Sequence, residues 1–255
     1  MPIFFLAPGS VRGDTVTVTG PLARHLAGAL RHRIGDQVTV VDETGERYRI
    51  ELIETGSTVV RGLIQSRLGP PPVPPISLTL VQAVLKNPSL DIVIQKAAEL
   101  GVRRIVPLIT RRTVVRTRGD RAGRQAERWQ VIAREAAQQS EHAVVPVIDE
   151  PLTMDEFLAA LRSDDEAKFL FWEREATRGL RESLESRRAV THATLIVGPE
   201  GGFDPDEVRA AAEAGFESVS LGAAILRAET AGPVGLAILQ YVWGDLGRTP
   251  REPRP

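Results

Sequence analysis

The amino-acid sequence predicts an α/β protein of two folded units: a small β-barrel, then a larger domain with a mainly parallel sheet. Short, closely spaced strands with turn signals fill residues 1–68. Five prolines crowd residues 69–75, and strands alternate with helices from residue 76 to residue 255. At 255 residues and 42% hydrophobic composition, the chain is long enough for each unit to bury its own core.

The first unit is predicted from four strand patterns and one helix. The strands cover 16–19, 37–42, 48–53 and 59–64, with turn residues between the second and third. The helix covers 21–30 and places Leu22, Leu26 and Leu30 on one face. The prolines that follow cannot continue a helix or a central strand, so 69–75 is predicted to be an extended linker.

The second unit is predicted from alternating strands and helices, the pattern of a parallel sheet with both faces covered. Its candidate strands are 77–82, 104–109, 144–148, 168–171, 194–197 and 218–221. Its helix starts carry clear signals. Thr153 with Glu156 fits a capping box, and Asp204 precedes a proline and an acidic first turn.

Composition excludes several classes of function. The absence of cysteine excludes disulfide scaffolds, zinc-thiolate sites and cysteine nucleophiles. The four histidines are scattered and show no metal-ligand spacing, so no metal is expected. No run of 18 apolar residues occurs, and the apolar N-terminus lacks a basic lead. We therefore expect a cytoplasmic protein that does not enter a membrane.

The net charge of −1 hides an uneven distribution. Residues 76–125 carry 10 basic and 3 acidic side chains, whereas 126–255 carry 14 basic and 23 acidic ones. The basic excess is concentrated in arginines at 103, 104, 111, 112, 116, 118, 121 and 124. Such a cluster can bind nucleic-acid phosphates. The alternative is a solvated surface whose arginines pair with acidic residues elsewhere.

Three loops in the second unit have the composition of a binding site. Gly198–Gly202 follows an apolar strand, and its three glycines allow close approach of a ligand to the backbone. Residues 221–226 follow the next strand and remain apolar, as a loop lining a pocket for an uncharged ring would. Residues 227–231 place Arg227 and Glu229 at a helix start. Ligands of open α/β sheets bind beyond such strand ends, although each loop could also be a simple turn.

Known signatures of other enzymes are missing from these loops. No Lys-Ser/Thr pair follows the glycines, which excludes a Walker A loop. The first strand of the domain leads to no Gly-x-Gly-x-x-Gly, which argues against a Rossmann dinucleotide site. A Gly-x-Ser-x-Gly elbow is also missing, so a serine hydrolase loses support.

Three segments form a distinctive series in the second unit. They are Ile-Gln-Lys-Ala-Ala-Glu-Leu-Gly-Val at 94–102, Leu-Ile-Val-Gly-Pro-Glu-Gly-Gly-Phe at 195–203, and Leu-Arg-Ala-Glu-Thr-Ala at 226–231. Weaker matches lie at 22–26, at 30–31 with 35–36, at 128–129 with 135–137 and 139–140, and at 244–247. With these segments the chain resembles the RsmE family of 16S rRNA methyltransferases, in the SPOUT superfamily. The resemblance covers nearly the whole chain.

The resemblance implies a fold, partners and a reaction. The N-terminal unit would be a PUA-like β-barrel that helps to hold RNA, and the C-terminal unit a SPOUT α/β domain with a deep trefoil knot. The chain would form a homodimer with the active site at the subunit interface. It would methylate N3 of one uridine in 16S rRNA of the small ribosomal subunit, with S-adenosylmethionine (SAM) as the methyl donor.

Site residues follow from the loops and the resemblance together. Arg227 is the candidate for stabilising negative charge on the uracil, and a structural ion pair with Glu229 is its alternative role. The base is Glu200, Glu229 or water. The candidates for SAM binding are Leu170, Gly198, Pro199, Glu200, Gly201, Gly202, Leu221, Gly222, Ile225, Leu226, Ala228 and Thr230. The candidates for RNA phosphate are Arg24, Arg31, Lys86 and Arg112, each of which could instead be a surface residue.

Three arginines of the family pattern are absent. The chain has Asn87-Pro88-Ser89 in place of a Gly-Asp-Arg-like stretch, Glu141-His142 in place of Gly-Arg, and Ala223-Ala224 in place of Pro-Arg. The absences leave a second hypothesis open: a non-catalytic or retargeted RNA-binding or ribosome-assembly protein of the same fold. A SPOUT methyltransferase acting on tRNA fits the barrel and linker less well.

Overall fold

The computed structural model describes residues 3–86, 88–114, 120–161, 167–187 and 190–249. The described residues group into two compact units, 3–73 with Ala137–Val144, and Pro74–Ala136 with Val145–Thr249. Two details differ from the sequence expectation. Gly69 ends a strand instead of beginning a linker, and Ala137–Val144 groups with the first unit. Order along the chain does not show which distant residues pack together.

The first unit contains a six-stranded sheet. Its order is β1-β4-β5-β6-β3-β2, with β1 parallel to β4 and the other neighbours antiparallel. The strands are β1 (Ile3–Phe5), β2 (Val11–Arg12), β3 (Thr15–Thr19), β4 (Gln37–Val41), β5 (Arg47–Thr55) and β6 (Val59–Gly69). All four predicted strands are present, and β1 and β2 are additional.

The predicted helix of the first unit is divided in two. Helix α1 (Gly20–Arg24) leads into a π-helical turn, His25–Ala29, in which the Leu30 amide donates to the His25 carbonyl at 3.0 Å. Leu26 is buried in the core, whereas Leu30 is 42% exposed. The wider π turn rotates Leu30 away from the face predicted by α-helical spacing.

The second unit contains a parallel sheet of seven strands. They are β7 (Ser77–Ala83), β8 (Arg104–Ile109), β9 (Val147–Ile148), β10 (Leu152–Thr153), β11 (Ala167–Phe171), β12 (His192–Val197) and β13 (Glu217–Val219). The order is β10-β8-β7-β12-β11-β13, with β9 also paired to β8, and every pair is parallel. The predicted α/β class with a mainly parallel sheet is confirmed.

Helices cover both faces of this sheet. They are α2 (Ser89–Glu99), α3 (Asp120–Gln139), α4 (Met154–Ala159), α5 (Leu180–Glu185), α6 (Pro205–Glu213) and α7 (Ala228–Val242). One core joins the sheet to α2, α3, α5 and α7, and a second joins it to α4 and α6. The capping box predicted at Thr153 is present, and Asp204 caps α6 as predicted, with Glu207 completing a capping box there. No helix in the described ranges has the length and apolar character needed to cross a membrane.

Candidate active site

A cavity of about 600 Å³ opens at the carboxyl ends of β11, β12 and β13. Its wall is formed by residues 171–173 after β11, Gly198–Gly202 after β12, and residues 220–229, apart from Ala223, after β13. These loops meet because β11 pairs with both β12 and β13. The volume falls within the range of about 300–1,000 Å³ that is usual for small-molecule sites.

The Gly198–Gly202 loop is held in a turn that favours glycine at its last position. The Gly202 amide donates to the Pro199 carbonyl at 2.9 Å, and Gly202 has a φ of 69°. A Cβ atom on Gly202 would lie 2.5 Å from Glu173 Oε1, and one on Gly198 would lie 3.0 Å from the Phe203 ring. The glycines therefore serve close packing as well as turn conformation.

The loop after β13 presents apolar surface to the cavity. The Ser220 hydroxyl and the Gly222 amide lie 3.2 Å apart and shape the turn, in which Gly222 has a φ of 120°. Ile225 is 80% exposed although it is a large aliphatic residue, and it lines the cavity together with Leu221 and Leu226. An exposed apolar side chain at the mouth of a pocket is the arrangement expected for contact with an uncharged ring.

Arg227 immediately precedes α7, and its side chain is largely free of the protein. The Arg227 carbonyl accepts hydrogen bonds at 2.9 Å from the amides of Thr230 and Ala231. Its guanidinium lies 3.9 Å from the Glu229 carboxylate, and the side chain is 86% exposed. An ion pair this long and this exposed contributes little to stability. The geometry therefore leaves the Arg227 guanidinium available to a ligand.

Three carboxylates line the cavity beside this one arginine. They belong to Glu173, Glu200 and Glu229. Glu200 Oε1 accepts a hydrogen bond from the backbone amide of Lys86 at 3.4 Å, and Glu229 is 25% exposed. Both candidate bases therefore lie at the cavity, and the excess of carboxylates favours a cationic ligand.

Most of the predicted cofactor-binding residues lie together. Of the twelve, ten line the cavity, and the exceptions are Leu170 and Thr230. Leu170 is 1% exposed in the core on the α4 and α6 side of the sheet, and its neighbour Phe171 lines the cavity instead. The sequence did not predict seven further lining residues outside the three loops: Ser89, Phe171, Trp172, Glu173, Val197, Val219 and Ser220. The position of 171–173 directly after a strand was the signal that could have found three of them.

The basic cluster does not form one patch. Arg103 and Arg104 lie at the amino end of β8, and Arg111 and Arg112 lie beyond its carboxyl end, about 20 Å away for a strand of this length. Arg104 pairs with Asp149. Arg111 donates at 3.0 Å to both Asp204 and Asp206. Hydrogen bonds from Arg111, the larger effect, and from Arg209 lower the pKa of Asp206.

Arg104 and Arg111 are therefore surface arginines that pair with acidic residues, which is the alternative to phosphate binding. Arg116 and Arg118 lie outside the described residues. The other phosphate candidates are exposed: Lys86 after β7, and Arg24 and Arg31 in the first unit. Arg31 has a φ of 54°. Within the described ranges, no three His, Cys, Asp or Glu side chains are placed to hold a metal ion.

Comparison with known proteins defines the class. Residues 72–240 match the family described as an RNA methyltransferase domain, so the fold is that of an RNA methyltransferase. Two relatives named ribosomal RNA small subunit methyltransferase E are similar to the chain. The Synechocystis protein is 32% identical, with 91% of this chain and 75% of the relative covered. The Mycobacterium bovis protein is 31% identical, with 88% and 85% covered.

A solved structure supports the same assignment. The ribosomal RNA small subunit methyltransferase E of Neisseria gonorrhoeae, bound to S-adenosyl methionine, is 31% identical to this chain. It superposes with a TM-score of 0.85 and covers 96% of this chain and 99% of its own. The chain belongs to the RsmE family of ribosomal RNA small subunit methyltransferases. The predicted resemblance is thereby confirmed.

Proposed function

We propose that the chain transfers a methyl group from SAM to N3 of one uridine in 16S rRNA of the small ribosomal subunit. The observation that carries this proposal is the cavity at the ends of β11, β12 and β13, with Arg227 exposed at its edge. Membership of the RsmE family supports SAM as the donor and small-subunit rRNA as the acceptor. An rRNA substrate also implies a cytoplasmic protein.

The residues present fit SAM. The cavity is large enough, its Leu221, Ile225 and Leu226 side chains suit the adenine ring, and its carboxylates suit a cation. No atom lies within 4 Å of a Cβ built on Gly222, so the backbone there is open to a ligand. The Gly198–Gly202 and 221–226 backbones would hold the adenosine part. When bound, SAM supplies a methyl group carried on a positive sulfonium.

The chain's own side chains prepare the uridine. The N3 proton of uracil lies between two carbonyls, and N3 becomes nucleophilic once that proton leaves. Glu200, Glu229 or a water held by one of them would accept the proton. Arg227 would stabilise the negative charge that spreads onto a uracil carbonyl oxygen, in the manner of an oxyanion-hole donor. Alignment of donor and acceptor contributes further acceleration.

We further propose the finer architecture that the family implies. Residues 1–68 would act as a PUA-like, RNA-binding barrel, 69–75 as a linker, and 76–255 as a knotted SPOUT domain. Arg24, Arg31 and Lys86 are exposed and suited to phosphate contacts. The similarity to the Neisseria gonorrhoeae structure supports this architecture.

A homodimer is also part of the proposal. The C-terminal end of α7 and the residues after it expose apolar side chains: Tyr241 is 69% exposed, Val242 41% and Leu246 44%. Such a group favours burial against a partner surface. Sedimentation of the wild-type protein should give a dimer, and Tyr241→Asp should shift it toward monomer. A wild-type monomer at micromolar concentration would contradict this part of the proposal.

The decisive experiment for function combines binding and chemistry. Calorimetry with SAM tests the donor site, and incubation of purified 30S subunits with SAM and the protein tests methyl transfer. Mass spectrometry of nuclease-digested 16S rRNA should show one new 3-methyluridine. SAM binding without rRNA methylation would favour a different acceptor. RNA binding without SAM binding would favour the non-catalytic alternative.

A further inference from the structure

We propose that Arg112 is a positioning residue for the methyl-donor site and is not an RNA phosphate contact. It holds the Gly198–Gly202 loop through the carbonyl oxygen of Gly201. Arg112 Nη1 donates to that oxygen at 3.0 Å, and Nη2 lies 3.8 Å from Asp204 Oδ2. This inference rests on the proposed function, because it concerns the same donor site.

The aliphatic part of Arg112 lies beside the loop at Gly201. A Cβ built on Gly201 would lie 3.4 Å from the Cβ of Arg112 and 3.8 Å from its Cδ. The side chain is 37% exposed, so much of it is covered. The guanidinium thus binds the carbonyl oxygen of Gly201, and the stem lies next to the same residue. An arginine that contacts RNA phosphate would instead expose its guanidinium N–H groups to solvent.

The segment that carries Arg112 is itself fixed. The Thr110 amide donates to the Thr113 hydroxyl at 2.9 Å, and both threonines are buried. The Arg111 amide donates to Glu207 Oε1 at 2.8 Å, and the other oxygen of Glu207 caps the start of α6 at the Asp204 amide. Residues 110–113 are thereby joined to the helix that follows the donor loop. Arg112 is oriented before any ligand binds.

The chemistry of arginine matches this task. Its planar fork can serve a carbonyl and a carboxylate together, whereas a lysine ammonium acts as a point charge on a flexible stem. A loop that is already ordered does not have to be ordered by the ligand, so preorganisation raises affinity. Loss of Arg112 should therefore weaken donor binding, while the methyl-transfer geometry recovers once SAM saturates the site.

The first test measures SAM affinity in three variants. Arg112→Ala should raise the Kd and the KM for SAM roughly tenfold, the loss expected for a hydrogen bond from a charged donor, with kcat little changed. Arg112→Lys should restore only part of the affinity. Arg181→Ala removes the same charge from an exposed site on α5 and should match wild type. Wild-type SAM affinity in Arg112→Ala would overturn the proposal.

A second measurement works without any ligand. Hydrogen exchange of the free proteins should be faster at amides 198–204 in Arg112→Ala than in Arg181→Ala, with equal exchange in the β7 core. The salt dependence of RNA binding by Arg112→Ala should equal that of wild type. Unchanged hydrogen exchange at amides 198–204 would contradict the positioning role. A reduced salt slope of RNA binding in Arg112→Ala would show instead that Arg112 contacts RNA phosphate. If wild type itself fails to bind SAM, the proposed function fails, and the exchange experiment still decides this inference.

Discussion

The guanidinium of Arg227 stands 3.9 Å from the carboxylate of Glu229, close enough to be attracted and too far to be held by a direct hydrogen bond. Arg227→Ala should leave SAM binding and assembly nearly unchanged. It should slow methyl transfer by roughly 10²–10³-fold, as for loss of one oxyanion-type donor. Single-turnover methylation of 30S subunits, beside a SAM titration, is the measurement.

Two results would contradict this role for Arg227. A wild-type rate in the alanine variant would remove Arg227 from the mechanism. A loss of SAM binding or of assembly would make it a structural residue, and the catalytic role would pass to another group. Arg181→Ala is the matched control, since it also removes one exposed arginine, on α5.

Lys86 is expected to contribute to RNA binding and not to SAM binding. Its side chain is exposed, and its contact with Glu200 is made by the backbone amide. Lys86→Ala should reduce the slope of log K against log salt for RNA by about 1 and leave the SAM Kd unchanged.

The matched control for Lys86 is Lys96→Ala. The Lys96 ammonium pairs with Glu99 at 2.9 Å, so its loss should affect RNA binding less. Equal slopes for Lys86→Ala and wild type, measured by filter binding from low to moderate salt, would make Lys86 an ordinary surface residue.

Gly235 sets the distance between α7 and the parallel sheet. A Cβ on Gly235 would lie 2.4 Å from the Phe171 ring and 2.7 Å from Leu195 Cδ2. Gly235→Ala should therefore lower the free energy of unfolding by about 1–3 kcal/mol, as overpacking of a core does. Urea unfolding measures this. Gly28→Ala meets no atom within 4 Å and should not destabilise; equal midpoints for both variants would argue against close packing at Gly235.

Glu217 is expected to make the fold sensitive to acid. Burial raises the pKa of Glu217, but the hydrogen bond from Arg187 and the charges of Arg187 and Arg178 lower it by more. The pKa therefore lies below the ordinary value of 4.5. A carboxyl group with a depressed folded-state pKa stabilises the protein above the unfolded value and loses that effect as pH falls through the folded one. Stability should therefore decrease below about pH 4.5.

Thermal unfolding between pH 7 and pH 3 tests the role of Glu217. Glu217→Gln should be less stable at neutral pH and should lose less stability on acidification than wild type. Glu213→Gln changes an exposed carboxylate on α6 and should follow the wild-type profile. Parallel pH profiles for Glu217→Gln and wild type would show that Glu217 does not carry the acid response.

Local signals in the sequence were sufficient for much of the fold. The helix caps at Thr153 and Asp204, and six of the seven strands of the parallel sheet, follow from short-range chemistry, whereas β10 was not predicted. The two loops after β12 and β13 also proved to share one cavity, because the carboxyl ends of parallel strands lie at one edge.

The errors in the site have physical causes. Strand β11 is buried along its whole length, so no polar alternation tells whether Leu170 or Phe171 faces the α7 side of the sheet. The arginines at 103–112 are close along the chain, yet β8 carries them to opposite ends of the sheet. The hydrogen bond from Arg112 to the Gly201 carbonyl joins residues 89 positions apart in the sequence, and no local sequence pattern predicts it.

The position of β12 has a consequence for synthesis of the chain. β12 lies between β7 and β11, both of which precede it in sequence. Until Val197 has been translated, β7 has no partner on one edge and β11 has none on either edge, because β13 also follows β12 in the chain. A nascent chain at that stage presents open, apolar strand edges, the condition that invites aggregation and chaperone binding. Ribosomes that pause before β12 should therefore yield less soluble protein than ribosomes that pause after it.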